Sequence, residues 1–173
     1  LEYHARIEEC GKKHCLIELG ELRDGADGQS PLRTHLGIAL SKGDRFDWVL
    51  QKATELGVSV ITPLLTERVE LRLKGERAEK KINHWQGVVE SACEQSGRRC
   101  LPTLHQPLPL NDWLQQDNSD LAMVLAPDSP GHNADFKEID KPATLSLLIG
   151  PEGGLTQAEI ETAINRGFMA WQL

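Results

Sequence analysis

The chain has few cysteines, no long apolar run and no excess of basic residues, and each shortage removes a class of protein. Cys10, Cys15, Cys93 and Cys100 are the only cysteines among 173 residues, and their spacing matches no disulfide framework, which suits a reducing compartment and a cytoplasmic location. Cys10-Gly-Lys-Lys-His-Cys15 has a loose zinc-ligand spacing. Cys93 and Cys100 stand too far apart to complete a ribbon, so no metal is expected and the segment reads as a hairpin turn at Gly11-Lys12-Lys13. No apolar run approaches the length of a bilayer span, which argues against a membrane protein, and Leu1 to Arg6 lacks the basic flank and apolar core of a secretory signal. Because the first residue is Leu1 rather than Met, the natural N-terminus is expected to lie upstream. Lys and Arg number 19 against 26 Asp and Glu, and a net charge of -7 speaks against a general nucleic-acid binder. Cations do cluster between Arg68 and Lys81 and at Arg98-Arg99, so a local basic face can coexist with an acidic whole. There is no internal repeat and no low-complexity stretch.

What is present is ordinary for a globular domain: 39% hydrophobic and 26% charged residues, on a chain long enough for one core plus a fragment of a second. Tyr3 to Leu22 alternates around the turn signal, with Cys15-Leu16-Ile17 as a strand core. A lone hairpin is marginal in water, so it should belong to a β domain whose earlier strands precede Leu1. Arg23 to Pro31, rich in Gly, Asp and Ser, reads as a linker. From Leu32 onward strands and helices alternate. Leu36 to Leu40 is a buried strand, followed by a helix capped by Asp44 whose apolar face is Phe46, Val49, Leu50, Ala53 and Leu56. Val58 to Leu65 is the next strand, and a helix over about Glu76 to Gln95 carries the stripe Ile82, Trp85, Val89 and Ala92. Pro102 and Pro107 mark an exit loop, Leu110 to Gln115 a short helix, and Leu121 to Leu125 a strand. Leu145 to Ile149 is the strongest strand. It runs into Gly150-Pro151-Glu152-Gly153-Gly154-Leu155, after which Thr156 and Glu159 form a capping box for a helix with core face Ile160, Ala163 and Ile164. Phe168 to Leu173 begins another strand. This order predicts an α/β fold with a mostly parallel sheet and helices on both faces.

In such sheets ligands bind beyond the carboxyl ends of the strands, and Gly150 to Leu155 occupies that kind of place. Glycines let main chain approach a ligand closely, so a bulky side chain at Gly153 is expected to block binding, and Pro151 stiffens the turn. The three-glycine dinucleotide spacing fails and no Gly-Lys-Ser/Thr follows, which disfavours classical NAD and ATP sites. A tight strand-to-helix turn without a ligand remains equally open on the glycine pattern alone.

Leu147 to Thr156 closely resembles the cofactor-loop motif of the SPOUT methyltransferases, whose C-terminal domain carries a trefoil knot. Two further segments resemble one family within that group. They are Lys42-Gly43-Asp44-Arg45 through Gln51 to Val58 with Ile61-Thr62-Pro63-Leu64 and Thr66-Glu67-Arg68, and then Ala92 to Arg98. The family is the ribosomal RNA small-subunit methyltransferase E family, which methylates N3 of a uridine in 16S ribosomal RNA. The likeness covers nearly all of Leu32 to Leu173. It implies a truncated SPOUT domain there, a linker over 23–31, and in Leu1 to Leu22 the end of a PUA-like, RNA-holding β-barrel. Family members continue past Leu173 into a second cofactor loop and a final helix. The implied cofactor is S-adenosyl-L-methionine and the implied partner 16S ribosomal RNA or the small ribosomal subunit. The alternatives are a SPOUT enzyme acting on transfer RNA, or a non-catalytic RNA-binding or assembly module.

Residue by residue, the resemblance makes Ile149, Gly150, Glu152, Gly153 and Gly154 cofactor-contacting, with Leu125, Ala126 and Pro127 lining the adenosine side. Lys42, Arg45, Lys52, Arg68 and Arg99 are candidates for RNA contact. Uridine N3 carries a proton that must leave; a carboxylate can serve as base and an arginine can stabilise the developing anion, and Glu94 and Arg98 are the candidates. His84 and His105 are possible acid-base groups but fall in no motif, and read as surface histidines. A homodimer is implied, and four tryptophans among few other aromatics suit an interface.

Overall fold

The computed structural model describes residues 3–22, 30–69, 75–126 and 141–172. The linker over 23–31 therefore lies mostly outside the described residues, as do Pro127, Leu173 and part of the Arg68 to Lys81 cation cluster.

The first two strands, β1 (Tyr3–Cys10) and β2 (Cys15–Leu22), form an antiparallel hairpin. Its turn closes where the Gly11 N–H donates to the His14 carbonyl at 2.8 Å, as the turn signal predicts. Apolar side chains on both strands stand in the open, Ile7 65% and Leu19 63% exposed.

From Arg33 the chain builds a parallel sheet. Its strands are β3 (Arg33–Ala39), β4 (Val60–Leu65), β5 (Thr103–Leu104), β6 (Leu108–Pro109), β7 (Leu121–Leu125), β8 (Thr144–Ile149) and β9 (Met169–Trp171). The spatial order is β5-β4-β3-β8-β7-β9, with β6 beside β4, and every pairing is parallel. Parallel neighbours need crossovers, and the helices supply them: α1 (Arg45–Glu55), α2 (Glu76–Ser96), α3 (Leu110–Gln116) and α4 (Gln157–Asn165).

Period-two alternation divides each central strand between two cores. Leu36 and Ile38 of β3 and Ile61 of β4 pack with Phe46, Leu50, Trp85 and Val89 of α1 and α2. On the other face Leu64, Val124 and Leu148 pack with Trp113, Leu114 and Ala163 of α3 and α4, and with Phe168. Each such fully buried side chain contributes roughly 1.5–3 kcal/mol. Trp85 keeps its indole N–H satisfied while buried, donating to Asp47 at 3.1 Å.

Some local expectations fail. Asp44 occupies the N-cap of α1, but its side chain makes no capping bond. Leu56 is the C-cap of that helix and 85% exposed, because the chain has already begun to turn toward Gly57; the apolar stripe ends at Ala53. Ile164, on the last turn of α4, is 44% exposed. The exit loop contains two strands too short to leave a periodic signal, β5 and β6, each of two residues. The capping box at Thr156 and Glu159 is fully formed.

Candidate functional site

At β3 and β8 the sheet changes direction: from β3 the chain leaves through α1 to β4 on one side, and from β8 through α4 to β9 on the other. Loops that part at such a point leave a crevice at the carboxyl edge. Ser41 and Arg45 line one wall and the turn that begins at Gly150 the other.

The second wall is made of main chain for steric reasons. A β-carbon at Gly150 would sit 2.8 Å from the Leu155 nitrogen, a backbone clash with no escape, and Gly154 has φ of +71°, the left-handed region. Gly153 is different: a β-carbon there meets only the Arg68 side chain, at 3.5 Å. The shape of the turn itself thus requires glycine at Gly150 and Gly154. The Gly154 N–H donates to the Pro151 carbonyl at 2.8 Å, closing the turn.

Two arginines grip this loop from outside. Arg68, just past β4, donates from Nη1 to the Gly153 carbonyl. Arg45, at the start of α1, donates from Nη1 to Glu152 Oε1 at 3.1 Å. The Glu152 carboxyl is held below its usual range by its own backbone N–H, and further by Arg45 and the backbone of Lys42.

Beside the loop lies a cavity of about 560 Å³, lined by Arg68, Leu125, Ile149, residues 150–155, Gln157 and Ile160. On the other side is an apolar slot of about 440 Å³ between Ile38, Ala39, Trp48, Val49 and the Ile149 to Glu152 turn. The first falls in the size range of small-molecule sites, and pairs apolar side chains with main-chain donors and acceptors. Such a lining matches an adenosine, with its flat apolar ring and polar edge.

The structure therefore brings Leu125, Ile149, Gly150, Glu152, Gly153 and Gly154 to one place, with Lys42, Arg45 and Arg68 around it. Ala126 adjoins them but is fully buried, its N–H donating to the Trp171 carbonyl at 3.0 Å, so its side chain packs rather than lines. Lys52 lies farther along α1, paired with Glu55 at 2.7 Å.

Glu94, Arg98 and Arg99 are not at the loop. The helix α2 runs antiparallel to β4 and ends at the amino edge of the sheet, opposite the crevice. There Arg98 donates from Nη1 to the carbonyls of Thr54 at 2.8 Å and Val58 at 3.0 Å. Its guanidinium is occupied with holding the end of α1, and Glu94 is exposed on the same end of α2. Within this chain the pair chosen for proton removal and anion stabilisation is thus displaced from the loop by the length of the sheet.

Both histidines are exposed, as the sequence predicts, but their partners differ. His84 Nε2 lies 2.6 Å from Asp47 on the surface of α2. His105 belongs to a chain that sequence reasoning missed: Trp113 Nε1 donates to His35 Nε2 at 3.1 Å, which also meets Thr62 Oγ1 at 2.8 Å, and Thr62 Oγ1 meets His105 Nδ1 at 3.1 Å. An indole N–H can only donate, so His35 Nε2 accepts and the ring is neutral. Burial, aided by His105, lowers the His35 pKa to about 4. His35, His105 and Trp113 line a smaller cavity at the amino edge. The one available signal was alternation, which puts His35 and Thr62 on the Trp113 face.

A parallel sheet with helices on both faces and a glycine-built turn at its switch point defines an α/β ligand-binding domain. Comparison with solved structures makes it a SPOUT-type methyltransferase fold. A ribosomal RNA small subunit methyltransferase E from Neisseria gonorrhoeae, bound to S-adenosyl methionine, superposes with a TM-score of 0.88 at 35% identity, covering 99% of this chain and 70% of that one. A methyltransferase from Legionella pneumophila in complex with the same cofactor gives 0.89 at 35% identity, covering 99% and 69%. Residues 28–173 match the RNA methyltransferase domain model, and the chain belongs to that family. Among curated relatives, the ribosomal RNA small subunit methyltransferase E of Synechocystis sp. is 38% identical over 142 residues, 80% of this chain and 46% of the relative. The chain spans about half the length of the curated relatives it matches.

Proposed function

We propose that the chain is the cofactor-binding part of an enzyme that transfers a methyl group from S-adenosyl-L-methionine to N3 of a uridine in 16S ribosomal RNA. The observation that carries this is the main-chain cradle of Gly150 to Leu155, set at the switch point beside a cavity of about 560 Å³. The Neisseria gonorrhoeae and Legionella pneumophila relatives, each solved with this cofactor, support the same choice. So do the curated relatives named for the small ribosomal subunit.

When bound, the cofactor supplies a methyl group activated by a sulfonium. This chain's own residues bind and orient: Gly150, Gly153 and Gly154 offer backbone groups, Leu125 and Ile149 an apolar wall, and Glu152 a carboxylate already neutralised by Arg45. Lys42, exposed at the rim, is placed for an RNA phosphate. Glu94 and Arg98 have no part in this arrangement.

Along the chain we assign residues 1–22 to the end of a PUA-like RNA-binding β domain, 23–31 to a linker and 32–173 to a SPOUT domain belonging to a trefoil knot. The open apolar side chains of the hairpin support the first assignment. We also assign a homodimer and a cytoplasmic location. Trp48, 62% exposed on α1 beside the crevice, offers the aromatic body an interface would cover. Among the described residues no helix is long and apolar enough to cross a membrane.

The test is incubation of the protein with radiolabelled S-adenosylmethionine and either 16S ribosomal RNA, small subunits or transfer RNA, followed by mass mapping of the product. Label at uridine N3 in 16S ribosomal RNA supports the assignment. Label confined to transfer RNA, or binding of RNA without transfer, overturns it.

A further inference from the structure

We infer that Arg68 is a positioning residue for the cofactor loop, assisted by Arg45, and that neither is primarily an RNA contact. The inference rests on the assignment of Gly150 to Gly154 as the cofactor loop. A glycine-built turn has more freedom than any other sequence, so it will not keep one shape unless something outside holds it. Among the described residues one backbone bond spans the turn itself, Gly154 N–H to the Pro151 carbonyl.

Arg68 supplies the missing constraint. Its Nη1 donates to the Gly153 carbonyl, and its side-chain carbons lie where a β-carbon on Gly153 would make contact, so it both bonds and packs against the loop. A charged donor on a carbonyl is stronger than a neutral one. Arg68 is itself held in place. The N–H of its neighbour Glu67 donates to Glu159 Oε1 at 2.8 Å, and the other oxygen of Glu159 accepts the Thr156 N–H at 2.8 Å at the head of α4. The Val69 N–H donates back to the Thr66 carbonyl at 3.1 Å, fixing the turn that carries Arg68. Thus one carboxylate joins the Arg68 turn to the helix that follows the loop. Arg45 holds the opposite shoulder through Glu152 at 3.1 Å, but both side chains are largely exposed, so this pair contributes less.

This placement gives a cation at position 68 a role that does not depend on a basic surface. It donates a hydrogen bond to the outward carbonyl of the cradle rather than pairing with a phosphate. Lys at this position retains charge but loses the planar fork and reach of guanidinium, so it should restore only part of the hold.

The experiment uses the R45A, R68A and R68K variants and three readouts. Hydrogen exchange at the Gly153 and Gly154 amides is measured without any ligand. Affinity for S-adenosylhomocysteine is measured by calorimetry, and affinity for 16S ribosomal RNA by filter binding. We expect R68A to speed loop exchange about tenfold and weaken S-adenosylhomocysteine by about tenfold. R68K should be intermediate, R45A should change both by about threefold or less, and RNA affinity should stay within about twofold for all three. Unchanged exchange and cofactor affinity with weakened RNA binding would overturn the inference. Faster loop exchange with S-adenosylhomocysteine bound nowhere by the unaltered protein would leave the hold on the loop standing and sink the cofactor assignment instead.

Discussion

Arg98 reaches from the end of α2 to the Thr54 carbonyl, 2.8 Å away on the last turn of α1, and with the same Nη1 to Val58 at 3.0 Å. One cation therefore joins two carbonyls at the amino edge of the sheet, that of Thr54 also accepting the Gly57 N–H at 3.1 Å. The segment carrying it is tied down as well, since Cys93 Sγ donates to the Arg98 carbonyl at 3.3 Å.

Replacing Arg98 with Ala should accordingly lower unfolding free energy by about 2 kcal/mol, the scale of hydrogen bonds from a charged donor. Urea denaturation of the variant would measure it. A stable variant with lost methylation would return Arg98 to the chemistry.

Gly37 of β3 faces the ring of Trp113, and a β-carbon there would lie 2.5 Å from Trp113 Cζ2. The indole is 2% exposed and its N–H is bonded to His35, so shifting it would break that bond. Gly37 to Ala should cost about 2 kcal/mol by overpacking, despite the better strand propensity of Ala. Thermal unfolding would show whether the strand absorbs the methyl instead.

His35 gives a pH dependence whose sign follows from its lowered pKa. With a folded value of about 4 against an ordinary 6.5, the unfolded chain binds more protons between those values. Stability is therefore complete above about pH 6.5, falls as pH drops toward 4, and levels off below; after allowance for solvent contact the loss is about 2 kcal/mol. Urea titrations across this range should lose that slope in a His35 to Gln variant. A slope common to both proteins would assign it to other groups.

Glu159 to Ala should destabilise the protein more than Thr156 to Ala. Both break the capping box, worth about 1 kcal/mol, but only the first also releases the Glu67 N–H. Paired denaturation curves decide the order.

These residues also show where the sequence was readable. The run from β8 through the glycine turn into the capping box was legible because every signal in it is local: a strand, a turn and a helix start within sixteen residues of one another. Its glycines were legible as a group, but which of them the turn needs depends on where Leu155 and Arg68 lie. Arg98 was not legible. An arginine at a helix end looks the same in sequence whether it meets solvent or carbonyls 40 and 44 residues away. The His35, Thr62 and His105 chain was hidden for the same reason, being assembled by parallel strand register rather than by neighbours in sequence. Leu56 misled because the helical period continues one residue beyond the helix.

The most direct test of the account is where the cofactor binds. Titration of isotopically labelled protein with S-adenosylhomocysteine, followed by amide shifts, should give saturable changes at Gly150, Gly153, Gly154 and Leu125, with the amino-edge cluster of His35, His105 and Trp113 unmoved. Changes confined to that cluster, or no binding at millimolar ligand, would contradict it.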